Sequence, residues 1–332
     1  DKGRALAAKA AGRLSLNGKV ATLVPLQYFF PGNQWIERID GDGNVDIDAR
    51  LAEGRIQPGS RIDIQADNLL LEFLGYRARG AGAVAGTVAG DGNRPVGELQ
   101  ILFNEYDLVR RGIDLPLVHG RNLSLNTRAI SPGINSTPED IEVSLRVPES
   151  VIPDITLIDQ YLPPTLGLQI TSGEARIRGE IDIQGLEREA SARLAVDGSD
   201  IGGKFRDTGF NLDFALSSEA VDQRLDDFKM DLGGTTFRLF NGTFDTDKVA
   251  VDDQWWMNIV VPRGTADMSK PFSIEADVDL SMKDTRAIIA LFAEVKDWIK
   301  RFDGFLTVQD VKGAAHVTVA DKLLRVRNLG VM

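Results

Sequence analysis

The sequence predicts a mostly β protein whose elongated, twisted, largely antiparallel meander sheet curls into a groove, with one or two helices between or capping the β segments. Two observations predict the strands. Apolar and polar residues alternate with a period of two in many short stretches, and turn-forming pairs recur roughly every 8 to 12 residues. A third observation predicts the groove: several of the 33 glycines fall inside strand-like stretches, where they leave room on one face of a sheet.

The alternation is most regular in residues 173–183, where small and aliphatic side chains fall on one face and Glu, Arg and Asp on the other. The same pattern recurs in 45–51, 141–147, 210–216 and 274–280. One polar, solvent-exposed face and one apolar, buried face are typical of an antiparallel sheet that packs on one side only. The inward residues of these stretches are the candidate groove lining: Ala175, Ile177, Ile181, Ile183, Leu212, Phe214, Ile274, Val278 and Leu280.

The longest interruption of the β pattern is the segment 284–302, whose apolar residues recur at the spacing of one helical face. Asp284 is the expected N-cap of this helix, and Gly304 is its expected stop. The helix is predicted to cap one end of the sheet. Its predicted packing residues are Phe292, Trp298 and Phe302.

Two shorter helices are also predicted. One covers Asp154 to Leu162 and ends at the proline pair that follows, because proline lacks the N–H that a helix needs. The other covers Lys2 to Arg13. Further along the chain, the adjacent Trp255 and Trp256 lie near a turn, where they either pack in a core or form the rim or floor of an apolar groove.

The helices divide the chain into three predicted parts. Residues 1–150 form an N-terminal β segment, 151–283 a middle β repeat opened by a short helix, and 284–332 a helix plus strands that start a further repeat. Residues 169–177 and 309–317 share a Gln, a Gly, an Ala and a β-branched residue at one offset, and each stretch follows a predicted helix. A repeated unit of this kind predicts an elongated sheet.

Composition excludes several classes of protein. A hydrophobic content of 43% is too high for a disordered chain. The net charge of −11 disfavours nucleic-acid binding, which requires clustered Lys and Arg. The absence of cysteine removes disulfides, thiolate metal sites and cysteine nucleophiles. No apolar run reaches the roughly 18 residues of a transmembrane helix.

No motif in the sequence indicates an active site, and we expect no catalytic residue, no metal and no cofactor. The acidic turn at residues 40–48 begins like a calcium loop, but Val45 stands where glycine is required and Leu51 where a glutamate is required. The two histidines, His119 and His316, are interpreted as ordinary surface or core residues, because no G-x-S-x-G elbow accompanies them. A glycosidase-like pair of carboxylates remains an alternative.

Several stretches resemble the AsmA-like proteins of the bacterial envelope, a superfamily that includes TamB-like and YhdP-like members. The resemblance is carried by degenerate strand-and-turn motifs, mainly in the C-terminal half: residues 161–164, 168–181, 237–242, 306–315 and 323–327. It implies a periplasmic protein, anchored to the inner membrane, whose β-groove shields the acyl chains of phospholipids that move between the inner and outer membranes.

Two further expectations accompany this resemblance. The chain begins at Asp1 without an initiator methionine, so we expect it to be part of a longer protein with an N-terminal anchor upstream. Expected partners are phospholipids or other acyl-chain lipids and other envelope proteins. The alternatives are a structural or scaffolding envelope protein of the same fold that binds other proteins, and a carbohydrate-active enzyme on a β-solenoid.

Overall fold

The computed structural model confirms a protein made almost entirely of antiparallel strands, with 84% strand and 3% helix. The residues that it describes are 9, 11–24, 36–73, 75–90, 94–110, 112, 115–132, 140–161, 167–184, 189–206, 208–224, 229–245, 254–267, 273–287, 308–320 and 323–331. The chain divides into two units. Unit 1 comprises residues 1–150 and 179–190, and unit 2 comprises 151–178 and 191–332.

Unit 1 contains the first nine strands. They are β1 (Gly12–Val20), β2 (Ile36–Asp40), β3 (Gly43–Ala52), β4 (Arg55–Ile56), β5 (Arg61–Phe73), β6 (Tyr76–Ala89), β7 (Val96–Arg110), β8 (Pro116–Ile130) and β9 (Ile141–Ile152), of which the last two residues belong to unit 2. Strands β5 to β8 pair successively as an antiparallel meander, while β3 pairs with β1, β4 and β5.

The core of unit 1 follows from the alternation of its strands. Ile64 and Leu71 of β5, Val84 of β6 and Phe103 of β7 are at most 1% exposed. Next to three of them, the neighbours Asp63, Ala85 and Asn104 are exposed. Long, regularly paired strands of this kind bury every second side chain, as expected for an antiparallel sheet with one buried face.

Unit 2 begins with a 3-10 helix, Ile155–Tyr161. Its strands are β10 (Leu168–Gln184), β11 (Glu189–Phe205), β12 (Thr208–Arg224), β13 (Lys229–Asp231), β14 (Thr235–Asp245), β15 (Trp255–Asp267), β16 (Ser273–Asp284), β17 (Gln309–Ala320) and β18 (Leu323–Val331). The last residues of β10 and the first two of β11 belong to unit 1. From β12 onward the strands form an antiparallel meander in which β14 pairs with β12 and β15, and β16, β17 and β18 follow in order.

The predicted strands are confirmed: each of the five alternating stretches of the sequence lies inside a strand, namely β3, β9, β10, β12 or β16. No predicted α-helix is seen in the described residues beyond Arg286 and Ala287, two helical residues at the start of the longest one. The helix predicted to start at Asp154 is a 3-10 helix, in which the Leu157 N–H donates to the Asp154 carbonyl three residues back. Seven residues before a proline pair are too few to make an isolated α-helix stable.

The other predicted helices fall largely outside the described residues. Of the longest, only the start is described. Asp284 ends strand β16, and its carboxylate accepts the Arg286 N–H at 2.9 Å, as expected of an N-cap. Residues 288–302 and Gly304 are not described. The helix predicted for Lys2 to Arg13 is wrong at its C-terminal end, because strand β1 begins at Gly12. Nearly all of the other residues of this predicted helix are not described.

A set of β-bulges bends the strands of unit 2. Asp200 of β11 and Asn241 of β14 both have positive φ angles, 51° and 54°, and the pairing of β12 with β14 shifts register beside them. Asp213 of β12 accepts a hydrogen bond from each, from the Asp200 N–H at 2.9 Å and from Asn241 Nδ2 at 2.7 Å. The Asp213 carboxylate therefore links strands β11, β12 and β14 through hydrogen bonds. These bonds lie at the bulges, where the sheet bends and twists most.

We therefore expect Asp213→Ala to lower the free energy of unfolding of unit 2 by about 1–3 kcal/mol, since both bonds involve a charged acceptor. Asp197→Ala, which removes an exposed carboxylate from β11, is the matched control and should change stability by less than about 0.5 kcal/mol. Urea unfolding followed by tryptophan fluorescence suits the measurement, because Trp255 and Trp256 both belong to unit 2. Equal losses in the two variants would contradict the assigned role.

Candidate functional site

The most distinctive feature of unit 2 is an apolar cavity of about 480 Å³. Its walls come from the 3-10 helix and from strands β10, β11, β12, β14 and β15, and no lining residue is polar or charged in its side chain apart from the indole N–H of one tryptophan. The lining residues are Ile155, Leu168, Ile170, Val196, Ile201, Phe205, Phe210, Leu212, Phe214, Leu216, Phe237, Leu239, Phe244, Trp255 and Met257.

Strand alternation supplies most of this lining. Successive inward positions of β12, 210 to 216, all carry Phe or Leu. On β14, Phe237 and Leu239 are two residues apart, but the next lining residue is Phe244. The bulge at Asn241 inserts one residue between them and so reverses which face the rest of the strand presents. Without the bulge, Phe244 would point away from the cavity.

Two glycines of β11 make room for the phenyl rings. A Cβ added to Gly198 would lie 2.2 Å from Phe214 Cε1, and one added to Gly203 would lie 2.4 Å from Phe210 Cζ. The rings of β12 therefore lie over bare backbone of β11. Phe214 also contacts Phe237 of β14, with the ring centroids 6.0 Å apart. Any larger residue at 198 or 203 would push these rings into the cavity.

One end of the cavity is closed by Trp255, which is 1% exposed. Its ring packs edge-to-face on Phe244, with the centroids 5.6 Å apart and the planes at 87°. Its Nε1–H donates to the Asp284 carbonyl at 3.1 Å, so the polar atom of the indole is satisfied away from the cavity. Met282, Ala287 and Val311 pack with it as a buried cluster.

The rest of the lining is incompletely buried. Five lining residues are buried: Ile155, Val196, Ile201, Leu212 and Trp255. The other ten are only half-buried, and they include all five of the lining phenylalanines. Large aromatic side chains in a filled core lose nearly all of their exposure. Unit 2 therefore presents a concave apolar surface that its described residues do not fill.

The structure places the predicted groove residues in different surroundings. Leu212 and Phe214 line the cavity. Ala175 is buried in β10, and four more residues of unit 2 are half-buried without being among the cavity's lining: Ile177, Ile274, Val278 and Leu280. Ile181 and Ile183 belong to unit 1. Phe292, Trp298 and Phe302 lie outside the described residues.

Sequence reasoning did not select several lining residues. Phe205 and Phe210 flank the β11–β12 turn, while Leu239, Phe244 and Met257 lie on strands whose inward face depends on a bulge or on register. Of these, Phe210 could have been found from Gly203, the glycine of β11 against which its ring packs. The indole of Trp255 forms part of the lining, whereas that of Trp256 is 38% exposed on the opposite face.

The two histidines lie on polar strand faces. His119 Nδ1 is 2.9 Å from Asp107 Oδ1 in unit 1, and His316 Nδ1 is 3.0 Å from Asp277 Oδ1 in unit 2. Each is a cross-strand pair at the surface. Within the described part of the chain, no group of three or more His, Asp or Glu side chains is arranged to hold a metal ion.

In the acidic turn that begins like a calcium loop, the Asp40 carboxylate accepts hydrogen bonds from nearby residues. Burial would raise the pKa of Asp40, but hydrogen bonds from the Gly41 N–H, Arg38 and Thr22 hold that pKa below its ordinary value. The Gly41 N–H and Thr22 Oγ1 both donate to Asp40 Oδ1, at 2.8 and 3.0 Å. These bonds account for a carboxylate in a tight turn without any bound ion.

A scan against models of protein families, a search of curated proteins and a search of solved structures each gave no match. The resemblance to AsmA-like proteins therefore stays a prediction made from the sequence. Among the residues that the structure describes, no helix has both the length and the apolar content needed to cross a membrane.

Proposed function

We propose that this chain is the periplasmic part of an AsmA-like protein and that it shields phospholipid acyl chains in the apolar cavity of unit 2 as the lipids move between the inner and outer membranes. The observation that carries the proposal is the apolar lining of the cavity together with the ten lining side chains that stay half-buried. The resemblance of residues 161–181 and 306–327 to AsmA-like proteins suggests the compartment and the lipid.

The energetics favour a long hydrocarbon guest. Each methylene removed from water contributes about 0.8 kcal/mol, whereas association costs roughly 4–15 kcal/mol in lost freedom. Roughly 5 to 19 methylenes are thus needed before binding becomes favourable without polar contacts. A surface that binds acyl chains in this way requires no catalytic group, and the half-buried phenylalanines supply the area.

The proposal is tested by placing a charge inside the cavity. Leu216→Glu puts a carboxylate among the lining residues, and burying an unpaired charge is costly. We expect its affinity for a fluorescent 16-carbon fatty acid to fall at least about tenfold, which corresponds to roughly 1.4 kcal/mol. Native mass spectrometry should show phospholipid co-purifying with the unmodified chain and lost from the variant.

Ala215→Glu is the matched control. Residue 215 is next to Leu216 but faces the other side of the sheet, directly across from Arg238 of β14, so the new carboxylate has a cation beside it. This variant should bind the fatty acid like the unmodified chain. The proposal fails if the unmodified chain carries no lipid and binds no fatty acid, or if both variants bind as well as it does.

A scaffolding role, in which the same fold binds other envelope proteins, is favoured by one observation on β1. Leu14 and Leu16 are 46% and 41% exposed and, being two residues apart on one strand, lie on the same face. Neighbouring exposed apolar side chains on one face are typical of protein contacts. Replacing both by serine should abolish capture of an envelope protein partner under this alternative while leaving fatty-acid binding intact. Under the lipid proposal, Leu216→Glu should weaken fatty-acid binding and leave capture of the envelope protein intact.

A further inference from the structure

The apolar cavity of unit 2 is long and narrow. Its inward side chains on β12, from Phe210 to Leu216, extend over about 20 Å at the strand rise of about 3.3 Å per residue. A volume of about 480 Å³ over that length gives a mean cross-section of about 24 Å². Carbon atoms of neighbouring chains pack about 4 Å apart, so two acyl chains side by side need roughly 32 Å². The cavity therefore has room for one linear chain along β12 and not for two.

The volume also limits the length of that chain. A cavity of about 150 Å³ binds benzene, which allows about 25 Å³ for each carbon atom. At this packing the cavity holds roughly 19 carbon atoms. Trp255 is 1% exposed and closes one end, so a longer chain cannot continue past it and its further methylenes stay in water.

A glycine on β11 keeps this space open. The three atoms nearest to a Cβ built on Gly198 all belong to the Phe214 ring, at 2.2, 2.6 and 3.0 Å. A side chain at 198 would therefore move the ring, and Phe214 is part of the cavity lining. The φ of Gly198 is not positive, so the backbone accepts other residues and it is the position of the ring that requires glycine.

Gly203 faces Phe210 in a similar way, but it also lies against the backbone of β10. A Cβ there would lie 2.4 Å from Phe210 Cζ and 2.6 Å from the Gln169 carbonyl oxygen. A larger residue at 203 would therefore displace the sheet as well as the ring. At Gly198 the width of the cavity depends on the ring alone.

We propose, on the basis of the function proposed above, that the cavity takes one acyl chain of at most about 18 carbons and that glycine at 198 sets this limit by letting the Phe214 ring lie against β11. The substrate class is a lipid that inserts a single chain: a fatty acid, a lysophospholipid, or a phospholipid whose second chain lies outside this lining. Gly198 and Phe214 determine the specificity for chain length.

The test measures how affinity depends on chain length. Saturated fatty acids of 12 to 22 carbons compete with the fluorescent 16-carbon fatty acid for the unmodified chain. Each added methylene should tighten binding about fourfold up to 18 carbons, and the acids of 20 and 22 carbons should bind within about twofold of the 18-carbon acid. Native mass spectra should show one fatty acid bound to each protein chain.

Gly198→Ala should shorten the limit. The added methyl moves the Phe214 ring into the cavity and removes the space of one to two carbon atoms, so the 18-carbon acid should bind about 4- to 16-fold more weakly. The 12-carbon acid needs about 300 Å³ at the same packing and should bind as it does to the unmodified chain. Adding Phe214→Leu to Gly198→Ala should restore the limit, because leucine lacks the ring atoms that the new Cβ meets.

Gly202→Ala is the matched control. Gly202 lies on the same strand, but a Cβ there would lie 2.3 Å from Ser172 Oγ, and Ser172 is not part of the cavity lining. The same methyl group at this position should leave the dependence on chain length unchanged. Phe214→Leu in the otherwise unmodified chain widens the cavity instead, so its limit should move beyond 18 carbons, and this variant decides the matter if Gly198→Ala does not fold.

The outcomes separate this inference from the function on which it rests. Affinity that keeps rising fourfold per methylene to 22 carbons, or two fatty acids bound with equal affinity, would overturn the limit of one chain and leave acyl-chain binding in place. An unchanged limit in Gly198→Ala and in Phe214→Leu would overturn the role of these two residues. Failure of every fatty acid to bind the unmodified chain would remove the proposed function itself.

Discussion

Replacing Trp255 by alanine is expected to destabilise unit 2 by about 3–5 kcal/mol, the usual cost of truncating a buried aromatic residue of this size. Trp255 is 1% exposed, packs edge-to-face on Phe244 and lies against Met282 and Val311. The truncation would also remove the wall at one end of the apolar cavity, so the new void would join the existing one. Because the cavity beside Trp255 is already empty, movement of the surrounding side chains cannot restore the packing contacts that the indole made.

The adjacent tryptophan provides the control. Trp256 is 38% exposed and points to the opposite face, so Trp256→Ala should cost less than about 1 kcal/mol. Trp255→Phe separates ring volume from the hydrogen bond. It keeps most of the packing but leaves the Asp284 carbonyl without its indole donor, at a cost of about 1–3 kcal/mol.

Thermal unfolding measures these effects, because each kcal/mol shifts the midpoint by roughly 2–4 °C for a unit of this size. Trp255→Ala should therefore lower the midpoint by about 10 °C. Since the substitution removes a fluorophore, amide hydrogen exchange in β14, β15 and β16 is the better local readout. Similar losses for Trp255→Ala and Trp256→Ala would show that Trp255 does not anchor this end of the cavity.

The contrast between these two tryptophans shows how far the sequence predicts the site. Period-two alternation requires that adjacent residues of a strand face opposite sides, and it correctly places Leu212 and Phe214 on one inner face. Alternation alone cannot say which of Trp255 and Trp256 is inside. That choice depends on the pairing of β15 with β14, which is a long-range property.

Bulges limit the prediction further. Asn241 and Asp200 adopt positive φ in the middle of strands, and each inserts one residue that exchanges the inner and outer faces downstream. Residues such as Asn and Asp also occur in ordinary turns, so the sequence around a bulge looks like a short break between strands. Phe244 was missed for this reason, since its position relative to Phe237 and Leu239 breaks the period of two.

The fold class was predictable because every strand repeats the same local signal. The form of the short helix after Asp154 was not, because helical spacing in a short segment competes with tertiary pairing. At the start of the segment after Asp154, the Asp154 carboxylate accepts the Thr156 N–H at 3.0 Å, as a capping side chain does. The segment nevertheless forms a 3-10 helix and contributes Ile155 to the cavity.

Replacing Asp284 by alanine should destabilise unit 2 by about 3 kcal/mol, since removing one partner of a buried ion pair leaves the other uncompensated. Asp284 is 2% exposed, and its carboxylate contacts the Arg286 guanidinium at 2.5 Å and accepts the Arg286 N–H at 2.9 Å. Asp279→Ala, on the same strand but exposed, should cost less than about 0.5 kcal/mol. Urea unfolding monitored by tryptophan fluorescence distinguishes the two; equal costs would contradict the burial argument.

The same carboxylate predicts a specific dependence on pH. Burial acts to raise the pKa of Asp284, but the hydrogen bonds and charge of Arg286, with a contribution from Lys283, hold that pKa below its ordinary value of 3.8. As the pH falls below about 4, the unfolded chain therefore takes up this proton before the folded chain does, so the stability that Asp284 supplies is lost on acidification. Asp284→Asn does not titrate. The difference in unfolding free energy between the unmodified chain and this variant should thus be constant from about pH 5 upward and shrink as the pH falls through the folded-state pKa. A difference that stays constant down to pH 2 would mean that the carboxylate stabilises unit 2 by its shape rather than by its charge.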